Sequence, residues 1–575
     1  MPDLYSEISS LVWNSVDRVI RDIVKKNEVG KYILPFVVMR RFDFVLEKDK
    51  EDIIKKWNVL KKRGVKDPSK VILTEISPRK FFNISKFDLK KLSQDSKAIK
   101  ENFKNYLLGY SDNVQKIFEN FKVNELIEDL DNENVLLEFI QEFTKKEINL
   151  SPEKIDNHSM GLIYEEILNK FSEDTNTSSG EYFTPRDVVK LLVELILEPE
   201  KSKLTKNNLV RSIYDPCCGT GGMLTVSREW VKKNLPKNMK LRLSGQEITK
   251  ETHSICQSDF LILDEDPDEI IQGSTLSNDG FKNSKFYYMI SNPPFGKHWG
   301  TEKNKIEFQN DLNDVDGPYQ NGLPPIRDSQ SLFIMKLISK MEPKGSRIGV
   351  ITNGSPLFTD EPSESSKNIS DFRKWLIDQD LLEAIIKLPL DMFFDTNIHT
   401  YIWILNNKKN ENRKEKVQLI NATNFYEKLG RSLNKKKNFI SEKNRNEILT
   451  NYLDLEENNV SKIIPNKDFL YTRVKIDYPL IENNIPILDK KGKQKMVTEY
   501  ERIPYDVDVD EYFNKEIKKY IPLGILDKNK IKVGCEITFN KYFYKYDEPL
   551  TSKKVLKDIM EIDKEINETT KMLLG

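Results

Sequence analysis

The sequence predicts an α/β protein: a doubly wound sheet preceded by a helical N-terminal domain and followed by a C-terminal helical tail. Three observations carry this. From about residue 156 short β-rich runs alternate with helical stretches, the order expected of an open sheet with helices on both faces. Upstream, apolar residues recur at helical spacing, and at the end of the chain an apolar stripe alternates spacings of four and three. The expected organisation is therefore a helical domain over residues 1–155, a catalytic-type domain over 156–425, and a C-terminal region with a partner-binding helix over 426–575.

Composition bounds the function. The 575 residues are 38% hydrophobic and 10% aromatic, enough for sizeable cores, while 32% charged residues imply a heavily solvated surface. Lys and Arg number 91, as do Asp and Glu, so any affinity for nucleic acid must come from local patches or a partner chain. No apolar run approaches the ~20 residues that span a bilayer. Met1-Pro2-Asp3-Leu4-Tyr5 also lacks the basic-then-apolar layout of a signal peptide, so a cytoplasmic, membrane-free protein is expected. Cys217, Cys218, Cys256 and Cys535, and His158, His253, His298 and His399, are too scattered for a disulfide framework or a dedicated metal site.

In chain order, Leu4, Ile8, Leu11, Val12, Val16, Val19, Ile20 and Ile23 predict a first helix, and Val123 to Phe143 behaves similarly. Arg40-Arg41 and Lys61-Lys62-Arg63 could touch phosphate, although a charged pair on a helix is more often simply solvated. Six strands follow: Ser212–Tyr214, Leu241–Gly245, Tyr287–Ile290, Arg347–Ile351, Ala384–Ile386 and Tyr401–Leu405. Gly296 to Ser329 is rich in Gly, Asn, Asp and Pro with little periodicity, which suggests a lid, a binding loop or disorder. Residues 408 to 445 hold twelve Lys/Arg against four Glu. A final helix is expected from about Ser552 to Leu574, with Val555, Ile559, Ile562, Ile566 and Leu573 as its seam.

Three motifs carry chemistry. Asp215-Pro216-Cys217-Cys218-Gly219-Thr220-Gly221-Gly222 falls between a strand and a helix, where a glycine-rich turn lets backbone approach a ligand. It lacks the Gly-Lys-Ser/Thr ending of a phosphate loop, and Asp215 suits a ligand with a positive amino group rather than pyrophosphate. By itself such a run also reads as a plain tight turn. Glu247, at the tip of the second strand, can accept hydrogen bonds from both hydroxyls of a ribose, though it reads equally as a solvated surface glutamate. Asn292-Pro293-Pro294-Phe295 follows the third strand: two prolines fix a rigid loop of carbonyl oxygens beside the Asn292 side chain, and Phe295 offers a flat face for a base. Such acceptors can hold an exocyclic amine by its hydrogens.

In this order, and preceded by Gly180-Glu181-Tyr182-Phe183-Thr184-Pro185-Arg186, the motifs resemble those of S-adenosylmethionine-dependent, amino-group DNA methyltransferases. The likeness extends over nearly the whole chain to the methylation subunit of type I restriction-modification systems. It is carried also by Ile33-Leu34-Pro35-Phe36, by Phe393-Phe394-Asp395-Thr396-Asn397-Ile398 and by Ile537-Thr538-Phe539-Asn540. The resemblance implies a methyltransferase sheet that uses S-adenosyl-L-methionine to methylate N6 of a flipped adenine in double-stranded DNA, protecting host DNA and supporting restriction. It implies that Tyr182, Phe183, Thr184 and Pro185 line the methionine end of the cofactor, and that Asp215, with Gly219, Thr220, Gly221 and Gly222, receives its amino group. Glu247 would hold the ribose, and Ser274 would stand at the adenine, where the family often has Asn or Asp. Asn292 and the Pro293 carbonyl would accept the amine hydrogens, with Pro294 and Phe295 completing the catalytic loop.

Partners implied in the same way are a specificity subunit, served by two copies of this chain and bound through the C-terminal helix, and a motor-nuclease restriction subunit. Other functions for the same motifs are N4-cytosine or protein-glutamine methylation, or a non-catalytic DNA-binding scaffold. Glutamine methyltransferases are much shorter, and intact motifs argue against a silent scaffold.

Overall fold

A computed structural model describes residues 4–25, 28–175, 184–206, 208–312, 317–363, 367–394, 396–433, 435–482, 485–488, 492–544 and 552–574. The chain forms two compact units, Met1–Ile537 and Thr538–Gly575. Among the described residues no helix is long and apolar enough to cross a membrane.

The N-terminal region is helical, as its periodicity predicts. Helix Leu4–Ile20 buries Ile8, Val12, Val16 and Ile20 on one face. Helix Val29–Leu46 is apolar nearly all round and buried along most of its length. That burial overturns both expectations for Arg40-Arg41, which are neither solvated nor free to meet phosphate. Arg41 Nη1 donates to the carbonyls of Leu150 (2.6 Å) and Ile155 (2.9 Å), and Nη2 to Asn157 Oδ1 (2.7 Å). Arg40 lies 4.0 Å over the Phe44 ring. A guanidinium taken out of water must find such acceptors, so these cations fasten the core. The stretch from Val123 to Phe143 is two helices, Val123–Asn132 and Leu136–Phe143, separated by Asn134 at φ 59°.

The centre is a nine-stranded sheet. Its strands are β1 (Val210–Asp215), β2 (Lys240–Glu247), β3 (Ile270–Gln272), β4 (Tyr288–Ser291), β5 (Arg347–Thr352), β6 (Leu382–Lys387), β7 (Tyr401–Asn406) and β8 (Lys416–Asn421). After a hairpin of β9 (Glu427–Leu433) and β10 (Lys436–Phe439), β11 (Ser461–Pro465) completes it. The order is β11-β8-β6-β7-β5-β4-β1-β2-β3, with β7 antiparallel to β5 and β6, and β11 antiparallel to β8. All six predicted strands are present, and β3, β8 and β11 add to them. The chain winds outward from β1 through β2 to β3, then returns to β4 on the other side of β1. The carboxyl ends of β1 and β4 therefore flank a topological switch point, where open α/β sheets form their ligand crevice.

Helix Arg186–Leu197 buries most of its side chains against β5 and neighbouring strands. Gly349 of β5 permits this approach, since a Cβ there would lie 2.5 Å from Leu192 Cδ1. Helix Lys250–Ile262 serves two cores. Ile255, Leu261 and Ile262 join the core of the N-terminal helices, which also takes in Met160, Ile163 and Ile167 of helix Asn157–Thr175. Cys256 and Phe260 join the core of the sheet.

The described residues between Gly296 and Ser329 are more ordered than their composition suggests. They include helix Lys303–Leu312, and Trp299 Nε1 donates to the Pro325 carbonyl at 3.0 Å. Several cations of the basic 408–445 segment are structural: Lys409 pairs with Asp380, Lys436 with Asp187 and Arg445 with Glu194. Beyond the large sheet, β12 (Leu470–Pro479) pairs antiparallel with three later strands, including Met496–Pro504, over a small core of Val474, Ile476, Ile503, Phe513 and Ile517. The second unit contains helix Ser552–Leu574, on which Val555, Ile559, Ile562 and Ile566 are exposed.

Candidate active site

β1 ends on Asp215, and the chain turns into helix Gly222–Asn234 through Gly219 at φ 54° and Gly221 at φ 85°. A Cβ on Gly221 would lie 2.6 Å from Cys256 Sγ, so both backbone and space demand glycine. Thr220 is buried within the turn. Asp215 is 2% exposed, and its Oδ1 accepts the Cys217 amide at 3.1 Å. Burial above all pushes its pKa up to about 8; nearby Glu247 raises it further, while the Cys217 amide opposes the shift. Among the described residues no cation pairs with it. A buried carboxyl in this state is one that a positive amino group would ionise.

Glu247, at the end of β2, is buried rather than solvated, which removes the surface alternative. Its Oε2 accepts the Gly219 amide at 2.9 Å and its Oε1 the Thr249 amide at 2.8 Å. Burial chiefly raises its pKa, and these amides oppose the rise. The loop after β3 joins the same edge: the Gly273 amide donates to the Glu247 carbonyl at 2.8 Å, and the Thr275 hydroxyl donates to the Pro216 carbonyl. Ser274 is half-buried there, and its carbonyl accepts the Asn278 amide at 2.8 Å.

β4 delivers the Asn-Pro-Pro-Phe loop to this edge. Ser291 Oγ and Cys217 Sγ are 3.0 Å apart, joining the ends of β4 and β1. Asn292 Nδ2 donates to Thr184 Oγ1 at 2.9 Å, whereas its Oδ1 is buried with no hydrogen-bond partner among the described residues. Pro293 is buried; Pro294 and Phe295 are half-buried. Phe295 meets Phe393 edge-on, with ring centroids 5.9 Å apart. The hairpin holds the Phe393 segment in place, since the amides of Lys435 and Lys437 each donate at 3.0 Å, to the carbonyls of Phe394 and Asp391. Thr184 and buried Pro185 lead into helix Arg186–Leu197, while Tyr182 and Phe183 lie outside the described residues.

The geometry thus brings together Thr184, Asp215, Glu247 and Asn292 at the crevice. It adds the Cys217–Ser291 contact, the Thr275 hydroxyl and the Phe393 ring. These depend on contacts between distant segments; the only sequence signal for Phe393 was the family-like segment containing it.

A family model for N-6 DNA methylases matches residues 155–470, more than half of the chain. The chain belongs to the N-6 DNA methylase family. Residues 8–143 match the model of the HsdM N-terminal domain. The type I restriction enzyme MjaIX methylase subunit of Methanocaldococcus jannaschii is 26% identical over 388 residues, covering 67% of this chain and 64% of the relative. The HindI methylase subunit of Haemophilus influenzae is 27% identical over 264 residues, 46% of this chain and 54% of the relative. The chain thus spans about half to two thirds of the length of such curated relatives. Its fold is shared with the type I restriction-modification methyltransferase subunit of Streptococcus thermophilus, with a TM-score of 0.60, 18% identity, and coverage of 80% of this chain and 96% of that one.

Proposed function

We propose that this chain is the modification subunit of a type I restriction-modification complex and methylates N6 of adenine at a specific site in double-stranded DNA. The observation that carries the proposal is the Asn292 side chain, whose Nδ2 is held by Thr184 while its buried Oδ1 accepts no hydrogen bond from the described residues. A buried acceptor left unpaired costs roughly 1 to 3 kcal/mol, which an incoming N–H group would recover.

S-adenosyl-L-methionine fits the carboxylate pair and the glycine turn, and when bound it supplies an electrophilic methyl group. Asp215 receives the amino group of the cofactor, Glu247 its ribose hydroxyls, and the turn from Gly219 to Gly222 its close approach. Thr184 and Pro185 flank the methionine end. On the acceptor side, a flipped adenine stacks on Phe295. Asn292 Oδ1 and the Pro293 carbonyl accept the two amine hydrogens, drawing the nitrogen toward tetrahedral geometry and stabilising the charge it develops. Alignment of acceptor and donor does most of the work.

In this proposal two copies of the chain serve one specificity subunit, a motor-nuclease subunit joins for cleavage, and the complex works in the cytoplasm. The test is co-expression with a cognate type I specificity subunit, followed by mass spectrometry of the nucleosides from treated DNA. N6-methyladenine confined to one sequence is expected. N4-methylcytosine, or no methylated nucleoside, would overturn the proposal.

A further inference from the structure

The guanidinium of Arg186 sits where three separate segments meet. Nη1 donates to the Gly222 carbonyl at 3.0 Å, at the first residue of the helix that leaves the glycine turn. Nη2 lies 2.8 Å from Glu165 Oε1 on helix Asn157–Thr175, and the two side chains are only 10% and 9% exposed. Space is cleared on both sides. A Cβ at Gly161 would lie 2.5 Å from Nη2, and one at Gly222 would lie 3.1 Å from Nη1. Two residues upstream of Arg186 is Thr184, whose hydroxyl receives Asn292 Nδ2.

A buried ion pair adds little net stability, because desolvation offsets the attraction, but its fixed geometry can enforce one arrangement of the groups around it. Here those groups belong to the two halves of the crevice: the glycine turn on one side and the Thr184 segment that holds Asn292 on the other. Among the described residues neither Nη atom hydrogen-bonds a motif side chain. The fork acts through backbone and through Thr184.

We infer that Arg186, seated on Glu165, is a positioning residue for methyl transfer: it sets the Thr184 segment, and through it Asn292, against the glycine turn. The inference rests on the methylation proposed above. Lysine cannot replace the fork, because a single ammonium does not reproduce two donors aimed at a carbonyl and a carboxylate. A misplacement of about 1 Å between aligned reactants can cost on the order of 100-fold in rate. Cofactor affinity rests chiefly on the charged groups of Asp215 and Glu247, which these changes leave in place, whereas Thr184, Pro185 and the glycine turn add only neutral contacts, so the rate should fall much further than the affinity.

The experiment uses the full chain in complex with its specificity subunit. Arg186→Lys removes the fork and keeps the charge; Gly161→Ala drives a methyl group into Nη2 from the other helix. For each, single-turnover methyl incorporation is measured at saturating S-adenosylmethionine, and the cofactor Kd by calorimetry. Both variants should lose at least tenfold in rate with Kd within threefold of wild type. Glu165→Gln, which keeps an acceptor for Nη2, should retain several-fold more rate than Glu165→Ala. Unchanged rates, or rate and Kd falling together, would overturn the inference. A wild-type complex that methylates nothing would instead sink the methylation proposal, and this inference with it.

Discussion

Asp215 binds its proton more tightly in the folded protein than in the unfolded chain, because burial pushes its pKa up to about 8 from the ordinary 3.8. The sign of the linkage follows: ionising it costs the cofactor-free fold stability increasingly as pH rises from about 4 through 8. Asp215→Asn should therefore raise Tm at pH 8 while weakening S-adenosylmethionine binding by roughly 1 to 3 kcal/mol, the loss of a charge-assisted hydrogen bond. Wild-type affinity should rise between pH 6 and 7, with a proton released on binding, which calorimetry in buffers of different ionisation enthalpy detects. Unchanged affinity in Asp215→Asn would mean the amino group is held elsewhere. Asn292→Ala removes the unpaired acceptor, so methyl incorporation should fall by at least 100-fold with the cofactor Kd unchanged. The placing of Asp215, Glu247 and Asn292 at one edge of the sheet was legible in the sequence because each ends or directly follows a strand inside a short motif. Arg186 closes the Thr184-Pro185 motif in the sequence, but its role was not legible there, because that role lies in Glu165 and Gly222, 21 and 36 residues away.

Among elements, the helix Ser552–Leu574 carries an apolar seam open to solvent, with Val555 38% exposed and Ile559, Ile562 and Ile566 each 56%. Deleting residues 552–575 should leave the cofactor Kd unchanged and abolish co-purification with the specificity subunit; continued assembly would place the partner surface elsewhere. This helix was readable from its spacing of four and three, just as β5 and β7 were readable from runs that are apolar because both their faces are buried. Elements with little apolar content escaped. β3 has three residues, and β8 lies in a lysine-rich stretch whose charges mask four buried positions. Helix Lys303–Leu312 buries Ile306 but exposes Phe308, so its periodicity is faint. The same bias misread Arg40-Arg41, since charge in a sequence says nothing about which carbonyls will surround it.

For the molecule as a whole, helix Lys250–Ile262 faces two cores at once, so the N-terminal helices and the sheet should unfold in one transition. Leu261→Ala, a fully buried truncation, should cost about 2 to 5 kcal/mol and lower the midpoint of that single transition; two separated transitions in a urea titration would contradict the coupling. The family model and the N-terminal model adjoin near residue 150, yet the core runs across that point through Met160, Ile163 and Ile167. Sequence patterns mark where a motif series begins, whereas packing decides what folds together. The large sheet also ends in two short margins: β3 with three residues, and β11 with five, the last of them Pro465. On β11 the Ile463 amide is already taken by the Glu457 carboxylate at 3.1 Å. A proline without an N–H and an amide satisfied by its own chain leave a poor template for a foreign strand. The β11 margin is thereby guarded against edge-to-edge aggregation, and at the other margin β3 offers a foreign strand only three residues to pair with.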